Sequence, residues 1–285
     1  MIEVDALVRA NILIEALPYV QEYANRIVVV KYGGNAMINE DLKQAVIQDV
    51  VLLNLLGIHV VLVHGGGPEI SDMLKKTGKE SKFKNGLRIT DDETMDIVQM
   101  VLCGKVNKNL VALLNKAKGK GIGLSGMDGS LFQAIQIDEE LGNVGSIQKV
   151  NPEIVVNMLE KGYIPVVSSV AQGIDQETNY NINADLAASK LAIALNAKKL
   201  ILLTDVKGLM KDPEDASSLI RELKVSQVPL LMKEGVITGG MIPKVQCSVE
   251  AVRQGVESVN IQDGRVPHSL LIELLSNDGV GTLIR

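Results

Sequence analysis

A lysine at the mouth of a glycine turn is the first residue of this sequence whose type and position suit chemistry. Lys31 ends the apolar run 26–31, which predicts a short strand, and Gly33 and Gly34 follow it. A lysine ammonium is a mobile point charge, suited to phosphoryl oxygens that shift during a reaction. For Lys31 taken alone, a solvated lysine at the end of a strand is an equal alternative.

A second glycine turn follows the next apolar run along the chain. Residues 58–63 predict a buried strand that breaks into Gly65, Gly66 and Gly67, and Pro68 suits the first turn of a helix. A turn of this kind leaves backbone N–H groups free at a helix N-terminus, where they bind anions and phosphate above all. The spacing is neither that of the phosphate loop nor that of a dinucleotide fold, so the turn alone predicts only an anion site.

An acidic residue and a second lysine stand at two other predicted helix starts. Asp185 follows Asn183, a good N-cap, and a carboxylate in the first turn of a helix is favourable in itself. Near the glycine turns, the same carboxylate would also hold lysine ammonium groups in place. Lys244 follows Gly239 and Gly240, and a plain loop with a solvated lysine explains that segment equally well.

Polar residues also gather after the predicted strand 199–204. Thr204, Asp205 and Gly208 come together at its carboxyl end. Ligands of open α/β sheets lie beyond the carboxyl ends of the strands, although an ordinary strand and its loop is the alternative. These three residues are therefore candidates for a ligand site.

Arg88 is the residue best suited to bind a substrate carboxylate. Its guanidinium offers a planar fork for that group, and a surface salt bridge to Asp91, Asp92 or Glu93 is the alternative. The sequence has neither a metal-ligand spacing of His and Cys nor a nucleophile elbow. Glycine turns, two lysines, an arginine and a carboxylate fit phosphoryl transfer, in which the protein positions groups and stabilises charge.

The composition predicts an α/β protein without a nucleic-acid or membrane partner. Apolar residues make up 46% of the 285 residues, aromatic residues only 2%, and 26 are glycine, which fits a mainly parallel sheet covered by helices. The net charge of −5 argues against a nucleic-acid surface. The apolar runs are far shorter than a membrane span and the acidic N-terminus lacks a signal-peptide pattern, so we expect a cytoplasmic protein. Cys103 and Cys247 are expected to be buried, reduced thiols.

Residues 3–24 predict an amphipathic helix ahead of the first strand. Apolar residues recur in it at spacings of three and four, and Pro18 is expected to kink or break it. The helix lies outside the strand–helix alternation of the remaining chain. Its apolar stripe therefore either covers its own domain or pairs with a second subunit.

Strand and helix patterns alternate through the rest of the chain, which predicts an α/β fold with a mostly parallel sheet. The alternating segment 131–137 is expected to be a hairpin strand, and the polar segment Gln172–Asn183 a hinge between two lobes. The other predicted strands are 121–125 and 163–169, and the predicted helices are 39–56, 91–103, 105–117, 151–161 and 184–196.

Five of these segments resemble the motifs of N-acetylglutamate kinases, which belong to the amino acid kinase family. The similarity runs in order from about residue 26 to the C-terminus. It implies a three-layer αβα sandwich in two lobes: 26–190 binds the amino acid and forms a dimer, and 191–285 binds the nucleotide. Residues 1–25 are then a kinked N-terminal helix. The matching segments are Lys31–Met37, His64–Ile70, Asn85–Arg88, Asn181–Asp185 and Gly239–Lys244.

The resemblance also implies a reaction and a role for each candidate residue. ATP, carried with Mg²⁺, phosphorylates the side-chain carboxylate of N-acetyl-L-glutamate in arginine biosynthesis. That carboxylate is ionised at neutral pH, so no general base is required. Lys31 and Lys244 offset the charge of the transferred phosphoryl group, Asp185 orients both lysines, and no residue is implied as a metal ligand. The remaining roles are substrate binding by Gly66, Gly67, Arg88 and Asn181, and ATP binding by Gly33, Gly34, Thr204, Asp205 and Gly208.

The N-terminal helix is similar to that of arginine-inhibited members of the family, in which it interlaces dimers into a ring-shaped hexamer, a trimer of dimers. His268, Asp278 and Gly281 resemble part of the arginine site of those enzymes. Asp278 stands where Glu is expected and Asn260 where His often stands, so the strength of inhibition by L-arginine stays open. The resemblance also allows a nitrogen-signalling regulatory protein as a partner.

Three other functions compete with this interpretation. The nearest is a kinase of the same fold that acts on glutamate, aspartate, uridylate, carbamate or carrier-bound aminoadipate, and Arg88 with Asn181 argues against most of these substrates. A catalytically silent nucleotide or arginine sensor is disfavoured because both Lys31 and Lys244 are present. A dinucleotide-dependent dehydrogenase would need a glycine motif that does not follow the first strand.

Overall fold

The protein is built around a central sheet of eight strands, seen in a computed structural model that describes residues 5–37, 39–212 and 215–285. The strands are β1 Ile27–Tyr32, β2 His59–His64, β3 Phe83–Lys84, β4 Leu87–Arg88, β5 Gly121–Ser125, β6 Phe132–Gln136, β7 Gly145–Val150, β8 Ile164–Ser168, β9 Val170–Gly173, β10 Asn179–Asn181, β11 Lys199–Thr204, β12 Glu222–Leu223, β13 Ser258–Asp263 and β14 Thr282–Ile284. The α-helices are α1 Ala6–Tyr23, α2 Glu40–Leu55, α3 Gly67–Lys76, α4 Asp92–Gln99, α5 Asn107–Lys116, α6 Glu153–Glu160, α7 Ala184–Ala194, α8 Val228–Lys233, α9 Met241–Arg253 and α10 Ser269–Leu275.

The central sheet has the strand order β12-β14-β13-β11-β1-β2-β8-β5. Its neighbouring strands run parallel except for β13 and β14, which are antiparallel. A four-stranded sheet, β10-β9-β6-β7, and the hairpin β3–β4 lie outside it. The predicted α/β fold with a mainly parallel sheet is confirmed. Because β11, β1 and β2 are parallel neighbours, the residues that follow these three strands meet at one edge of the sheet.

Helices cover both faces of the sheet, which makes the three-layer sandwich that the sequence predicts. Successive side chains of a strand point to opposite faces. In β1, Val29 belongs to one core with the α7 residue Leu191, whereas Val28 belongs to a second core with the α2 residue Val50. All four side chains are fully buried. The aliphatic residues of the sequence thus form two separate cores, one on each face of the sheet.

The two predicted lobes share this sheet. β1 pairs with β11 along its length, with Val28 opposite Lys199 and Lys31 opposite Leu202. The predicted boundary between 26–190 and 191–285 falls inside α7. The division into an amino-acid lobe and a nucleotide lobe stays a prediction.

Helices α4 and α5 are one continuous helical segment, joined by the π-helical turn Met100–Val106. The sequence predicts two helices separated at Gly104; this is wrong because a helix tolerates an interior glycine at a cost of about 1 kcal/mol.

By length and composition alone, the 25 residues of Asp92–Lys116 could cross a membrane. Core helices pass the same test, and Leu110 and Leu114 of this segment lie in the core.

The segment Gln172–Asn183, predicted as a hinge, contains the end of β9 and all of β10, which are antiparallel. Asn179 of β10 pairs with Gln172 of β9, and β9 also pairs with β6. The β9–β10 pair is a local hairpin, whereas the pairing of β9 with β6 joins residues far apart in the sequence. The role of the segment as a hinge stays a prediction. The hairpin prediction for 131–137 agrees with the structure, since β6 pairs antiparallel with β7.

Helix α1 runs unbroken from Ala6 to Tyr23 through Pro18, so the structure shows no break there, and the alternative of a kink stays a prediction. Pro18 removes the hydrogen bond to the carbonyl of Ile14, but Ile14 is 67% exposed, so water can solvate that group. Within the described part of the chain, only the end of the helix is anchored, through buried Tyr23. The exposed apolar side chains of α1 are Leu7, Val8, Ile12, Leu13, Ile14 and Leu17.

Candidate active site

A cavity of about 360 Å³ holds the residues predicted for catalysis and for substrate binding. It lies at the carboxyl ends of β1 and β2, where Lys31 and the glycine turn 65–67 stand. Helices α7 and α9 bring Asp185 and Lys244 to the same cavity. The predicted residues that line it are Lys31, Gly33, Gly34, Gly66, Gly67, Arg88, Asn181, Asp185 and Lys244.

Two lysines flank the carboxylate of Asp185. Lys31 Nζ lies 3.0 Å from Oδ1, and Lys244 Nζ lies 2.5 Å from Oδ2. Lys244 donates a hydrogen bond to Oδ2, whereas Oδ1 accepts none from the described residues. The Lys31 ammonium has three hydrogens and this one carboxylate partner among the described residues, so it keeps hydrogens for a ligand. The two positive charges exceed the single negative charge, so the cluster attracts anions.

The start of α7 fixes the position of Asp185. Asn183 caps this helix, and its Oδ1 accepts hydrogen bonds from the backbone N–H of Asp185 at 2.9 Å and of Leu186 at 3.2 Å. Burial raises the pKa of the Asp185 carboxyl, but the ammonium groups of Lys31 and Lys244 outweigh it, so the pKa falls to about 2. Asp185 is therefore ionised at neutral pH.

Gly34 stands where two loops of the site meet. Its φ of +71° is in the left-handed region, and an added Cβ would lie 2.7 Å from Oδ2 of Asp205. Glycine is favoured there by its backbone freedom and by its lack of a side chain. The turn after β1 therefore packs closely against the loop after β11.

The second glycine turn presents free donors to the cavity. Gly66 and Gly67 line it, and within the described residues their backbone N–H groups donate to no protein acceptor. Gly66 precedes helix α3, so these groups lie at a helix N-terminus. Free N–H groups and the positive end of a helix dipole together bind anions.

Arg88 is buried with neutral hydrogen-bond acceptors. It is 7% exposed, and its guanidinium donates to Ser81 Oγ at 2.5 Å, to Ser71 Oγ at 3.0 Å and to the Gly67 carbonyl at 3.0 Å. The alternative of a salt bridge to the following acidic residues is not what the structure shows. Asp91 and its neighbour Glu93 pair with Lys79 instead, and Asp92 accepts from Asn143.

Asn181 lines the same cavity from the end of β10. Its Nδ2 donates to Thr90 Oγ1 at 3.2 Å, and Thr90 Oγ1 in turn donates to the Arg88 carbonyl at 2.8 Å. This chain of hydrogen bonds links Asn181 to the backbone of Arg88. The amide and the guanidinium are therefore placed relative to one another.

A second cavity, of about 440 Å³, lies beyond the carboxyl end of β11. Asp205 and Gly208 line it, as does Met241, the first residue of α9. Lys244, one turn further along α9, lines the first cavity. The first turn of α9 and the contact of Gly34 with Asp205 thus connect the two cavities.

Thr204 lines neither of these two cavities. It is 5% exposed, and its hydroxyl donates to the Val206 carbonyl at 3.0 Å and accepts from the Val206 N–H at 3.2 Å. These bonds shape the turn that carries Asp205. The role of Thr204 in ATP binding stays a prediction.

The three residues predicted for arginine binding lie around α10, and none of them lines either cavity. His268 precedes this helix, and its Nδ1 lies 2.6 Å from Asp49 Oδ1 of α2. Asp278 is exposed in the loop after α10, and Gly281, with a φ of +88°, packs against the Ile261 carbonyl without room for a Cβ. Helix α10 contacts α1.

Sequence reasoning missed the residues that hold Arg88. It placed Arg88 in a loop, whereas the residue lies on β4 of a hairpin, with Arg88 Cζ 4.7 Å from the centre of the Phe83 ring. The signal was present: Asn85 and Gly86 form the Asn-Gly pair of a tight hairpin turn, and both have positive φ, 52° and 79°. Ser71 and Ser81 left no comparable signal, because their contacts depend on the tertiary fold.

The fold and the site are those of a phosphotransferase of the amino acid kinase class, and the model of the amino acid kinase family matches residues 26–263. An acetylglutamate kinase from Clostridium beijerinckii is 59% identical over 278 residues, which cover 97% of this chain and 98% of that protein. An acetylglutamate kinase from Clostridium kluyveri is 54% identical over 277 residues, 96% of this chain and 98% of that protein. The chain belongs to the amino acid kinase family, and within it to the family of acetylglutamate kinases.

The solved structure of another enzyme, an N-acetylglutamate synthase, shares this fold. The structure of N-acetylglutamate synthase from Neisseria gonorrhoeae, complexed with coenzyme A and N-acetyl-glutamate, superposes with a TM-score of 0.84 at 25% identity. The match covers 98% of this chain and 63% of the synthase chain, so this chain spans less than two thirds of the synthase.

Proposed function

We propose that the protein transfers a phosphoryl group from ATP to the side-chain carboxylate of N-acetyl-L-glutamate, a step of arginine biosynthesis. The observation that carries the proposal is that one cavity contains both the Lys31–Asp185–Lys244 cluster and the Arg88 guanidinium. Such a cavity fits a dicarboxylate with one carboxylate to be held and one to react. The acetylglutamate kinase relatives and the synthase complexed with N-acetyl-glutamate support the same substrate.

The reaction forms one bond and breaks one. An oxygen of the ionised side-chain carboxylate attacks the γ-phosphorus of ATP, and the bond from that phosphorus to the β,γ-bridging oxygen breaks. The products are an acyl phosphate and ADP, and no proton is transferred because the carboxylate is already ionised. The barrier lies in bringing one anion to another, so catalysis rests on position and positive charge.

Lys31 and Lys244 supply the positive charge, one on each side of the Asp185 carboxylate. Lys31 and Lys244 stabilise the oxygens of the transferred group, and Asp185 holds both ammonium groups in place before the substrate binds. The free N–H groups of Gly66 and Gly67 add neutral donors on the side of the second glycine turn. Because all of these groups are fixed in the folded chain, little reorganisation accompanies the reaction.

Arg88 binds the α-carboxylate of the substrate. A guanidinium has five N–H donors, and Arg88 uses three of them on neutral acceptors of the protein. Its buried positive charge therefore lacks a carboxylate partner within the described residues, and a bound carboxylate would supply one. Asn181, linked to Arg88 through Thr90, meets the acetamido end of the substrate.

ATP spans the two cavities, with the nucleoside beside Asp205 and Gly208 and the phosphates passing Gly33 and Gly34 towards Lys31. Within the described residues, no three His, Cys, Asp or Glu side chains lie close enough together to hold a metal ion. The carboxylate that lines the first cavity is already paired with two lysines. These residues fit a Mg²⁺ ion that is held by the phosphates of ATP rather than by protein side chains. The ion would neutralise part of the charge of the phosphates.

A second copy of the chain covers the apolar stripe of α1, and the assembly is a hexamer built as a trimer of dimers. The exposure of Leu13 to 73% and of Ile14 to 67% shows that the subunit itself does not cover this stripe in the described part of the chain.

L-Arginine binds beside α10 at His268, Asp278 and Gly281 and inhibits the enzyme. The contact of α10 with α1 would couple that site to the assembly. A nitrogen-signalling protein is a further candidate partner, and we place the enzyme in the cytoplasm.

A hydroxamate assay for acyl phosphate tests the reaction. With MgATP, we expect the wild-type protein to turn over N-acetyl-L-glutamate and to discriminate strongly against free L-glutamate, whose ammonium group does not match Asn181. A protein that phosphorylates glutamate or carbamate in preference would be another kinase of the same fold. A protein that binds ATP without any transfer would be a sensor.

A further inference from the structure

His64 is a buried polar residue that the proposed mechanism leaves without a role. It ends β2 directly before the second glycine turn, and it is fully buried. Its Nδ1 lies 2.8 Å from the carbonyl oxygen of Gly65, and its Nε2 lies 3.1 Å from Nδ2 of Asn107. Both ring nitrogens therefore have a partner.

The partners fix the tautomer of the ring. A carbonyl oxygen only accepts, so His64 Nδ1 carries the hydrogen and donates it to Gly65. In a neutral imidazole the other nitrogen is then an acceptor, which matches the amide hydrogens of Asn107. Burial lowers the pKa of His64 to about 4, against the opposing effect of the bond to Gly65, so the ring is neutral at pH 7.

Asn107 ties this imidazole to the sheet. Its Nδ2 also lies 3.1 Å from the Leu124 carbonyl of β5 and 2.8 Å from the Val166 carbonyl of β8. Its Oδ1 is buried and accepts no hydrogen bond from the described residues. The two amide hydrogens face three acceptors, and these donor contacts hold the amide in this orientation although its unsatisfied buried oxygen costs about 1–3 kcal/mol.

The bond to Gly65 decides where the next N–H points. The carbonyl of Gly65 and the N–H of Gly66 belong to one trans peptide, in which they point in opposite directions. Because His64 holds the carbonyl on its own side, the Gly66 N–H points away from the imidazole; Gly66 lines the cavity, and this N–H donates to no acceptor within the described residues. Rotation of this peptide would break the hydrogen bond of a buried ring.

The π-helical turn before Asn107 packs against Gly66, on the same peptide. A Cβ added to Gly66 would lie 2.8 Å from Leu102 Cδ2 and 3.2 Å from Val106 Cγ2, both in that turn. Gly66 is thus enclosed by the turn whose next residue anchors His64. Two independent sets of contacts restrict one peptide plane.

We propose that His64, anchored by Asn107, is a positioning residue that orients the Gly65–Gly66 peptide so that the Gly66 N–H donates to the transferred phosphoryl group. The inference rests on the proposed function, because it concerns the same reaction. His64 touches neither substrate nor nucleotide and acts through Gly66.

The test compares two variants that differ in which ring nitrogen they replace. His64→Asn keeps a donor at the place of Nδ1, whereas His64→Gln keeps an acceptor for Asn107 at the place of Nε2 and loses the donor to Gly65. We expect His64→Gln to lower kcat by about 10–100-fold, with KM for ATP within about twofold of wild type. We expect His64→Asn to keep kcat within about fivefold of wild type.

Melting temperatures measured alongside separate positioning from folding. If His64 only supports the fold, both variants lose stability to a similar degree and each folded protein keeps the wild-type kcat, which overturns the proposal. An equal loss of kcat in the two variants overturns it as well. Absence of wild-type activity on N-acetylglutamate would instead remove the proposed function, and the following measurement would still test the geometry.

The tautomer of His64 can be read in the protein without a substitution at that position. Nitrogen-15 NMR of the His59→Gln/His268→Gln double variant reports the ring of His64 alone, because the sequence has three histidines. We expect a neutral ring with the hydrogen on Nδ1 at pH 7, the tautomer that is less populated in water. A hydrogen on Nε2, or a doubly protonated ring, contradicts the proposal even if the His64 variants do not fold.

Discussion

Arg88 shows how much of this site depends on one buried charge. A guanidinium that is 7% exposed and bonded to two hydroxyls and one carbonyl has been moved out of water without a counter-charge from those partners. Burial lowers the pKa of Arg88, but an arginine stays charged in proteins. A carboxylate ligand would therefore gain more binding free energy from Arg88 than from an exposed arginine.

Arg88→Lys tests this role. Lysine keeps the charge but loses the fork, so we expect KM for N-acetylglutamate to rise about tenfold or more while kcat changes less. Steady-state kinetics with each substrate varied in turn give the measurement. Arg253→Lys, an exposed change at the end of α9, serves as a matched control and should leave both KM values unchanged. If only KM for ATP rises, Arg88 belongs to the nucleotide site.

The buried imidazole of His64 makes stability depend on pH. Its folded-state pKa, about 4, lies below the ordinary value of 6.5, so the unfolded chain binds this proton more readily. The contribution is complete above pH 6.5 and is lost as pH falls towards 4, by up to about 3 kcal/mol. Asp49 acts in the opposite sense: burial raises its pKa to about 6, against the hydrogen bond from His268.

Urea unfolding of the wild type and of His64→Asn, at several values between pH 7 and pH 4.5, isolates the histidine. We expect the wild type to lose more free energy of unfolding over this range than the variant, which has no group titrating at position 64. Parallel curves for the two proteins would show that His64 titrates normally and is not buried as described.

At the level of elements, the site could be predicted where the signal was local. The runs before Lys31 and Gly65 are short and apolar and end in glycine, so each strand and its turn follow from neighbouring residues alone. The strands β9 and β10 were missed although they pair with each other locally, because polar residues and glycine dominate the segment and β9 also pairs with the distant strand β6. Arg88 was predicted as a ligand residue, but the hairpin and the serines that hold it depend on the tertiary fold.

The turn after β1 gives a test of backbone geometry. Gly34→Ala forces a side chain into the left-handed region, at about 1–2 kcal/mol, and its Cβ would collide with the Asp205 carboxylate, 2.7 Å away. We therefore expect lower stability together with a raised KM for ATP. Gly78→Ala is the matched control, since Gly78 has a φ of +79° and nothing within 4 Å of an added Cβ.

These two alanine variants should lose similar stability from backbone strain, while only Gly34→Ala loses affinity for ATP. Thermal unfolding and ATP saturation curves measure both effects. If Gly34→Ala binds and uses ATP as the wild type does, the close contact between the two loops has no bearing on the nucleotide site.

At the scale of the whole molecule, α1 is the feature that a single subunit does not explain. The helix begins with Asp5 as N-cap, runs past Pro18 and is anchored at Tyr23, yet its apolar side chains before that point are largely exposed. The sequence predicted the stripe but left its partner open, because amphipathicity does not reveal what covers a helix face. A second subunit is the partner that the exposed stripe favours.

Deletion of residues 1–16 removes most of that stripe and keeps the anchor at Tyr23. We expect a folded, active kinase of lower mass in solution whose inhibition by arginine is weakened, because the assembly to which the contact of α10 with α1 couples the proposed arginine site is lost. Size-exclusion chromatography with light scattering and an arginine titration measure both. An unchanged oligomer with a lower melting temperature would mean that α1 packs on its own subunit.

The turnover of Lys31→Ala shows whether the Lys31–Asp185–Lys244 cluster carries phosphoryl transfer to N-acetylglutamate. In the hydroxamate assay with MgATP, the folded variant should lose about 10²–10³-fold in kcat, since a donor to the transferred group is gone. Lys76→Ala, which removes a surface lysine paired with Asp72, should behave as the wild type. A well-folded Lys31→Ala protein with near-normal turnover would rule out this role of the cluster.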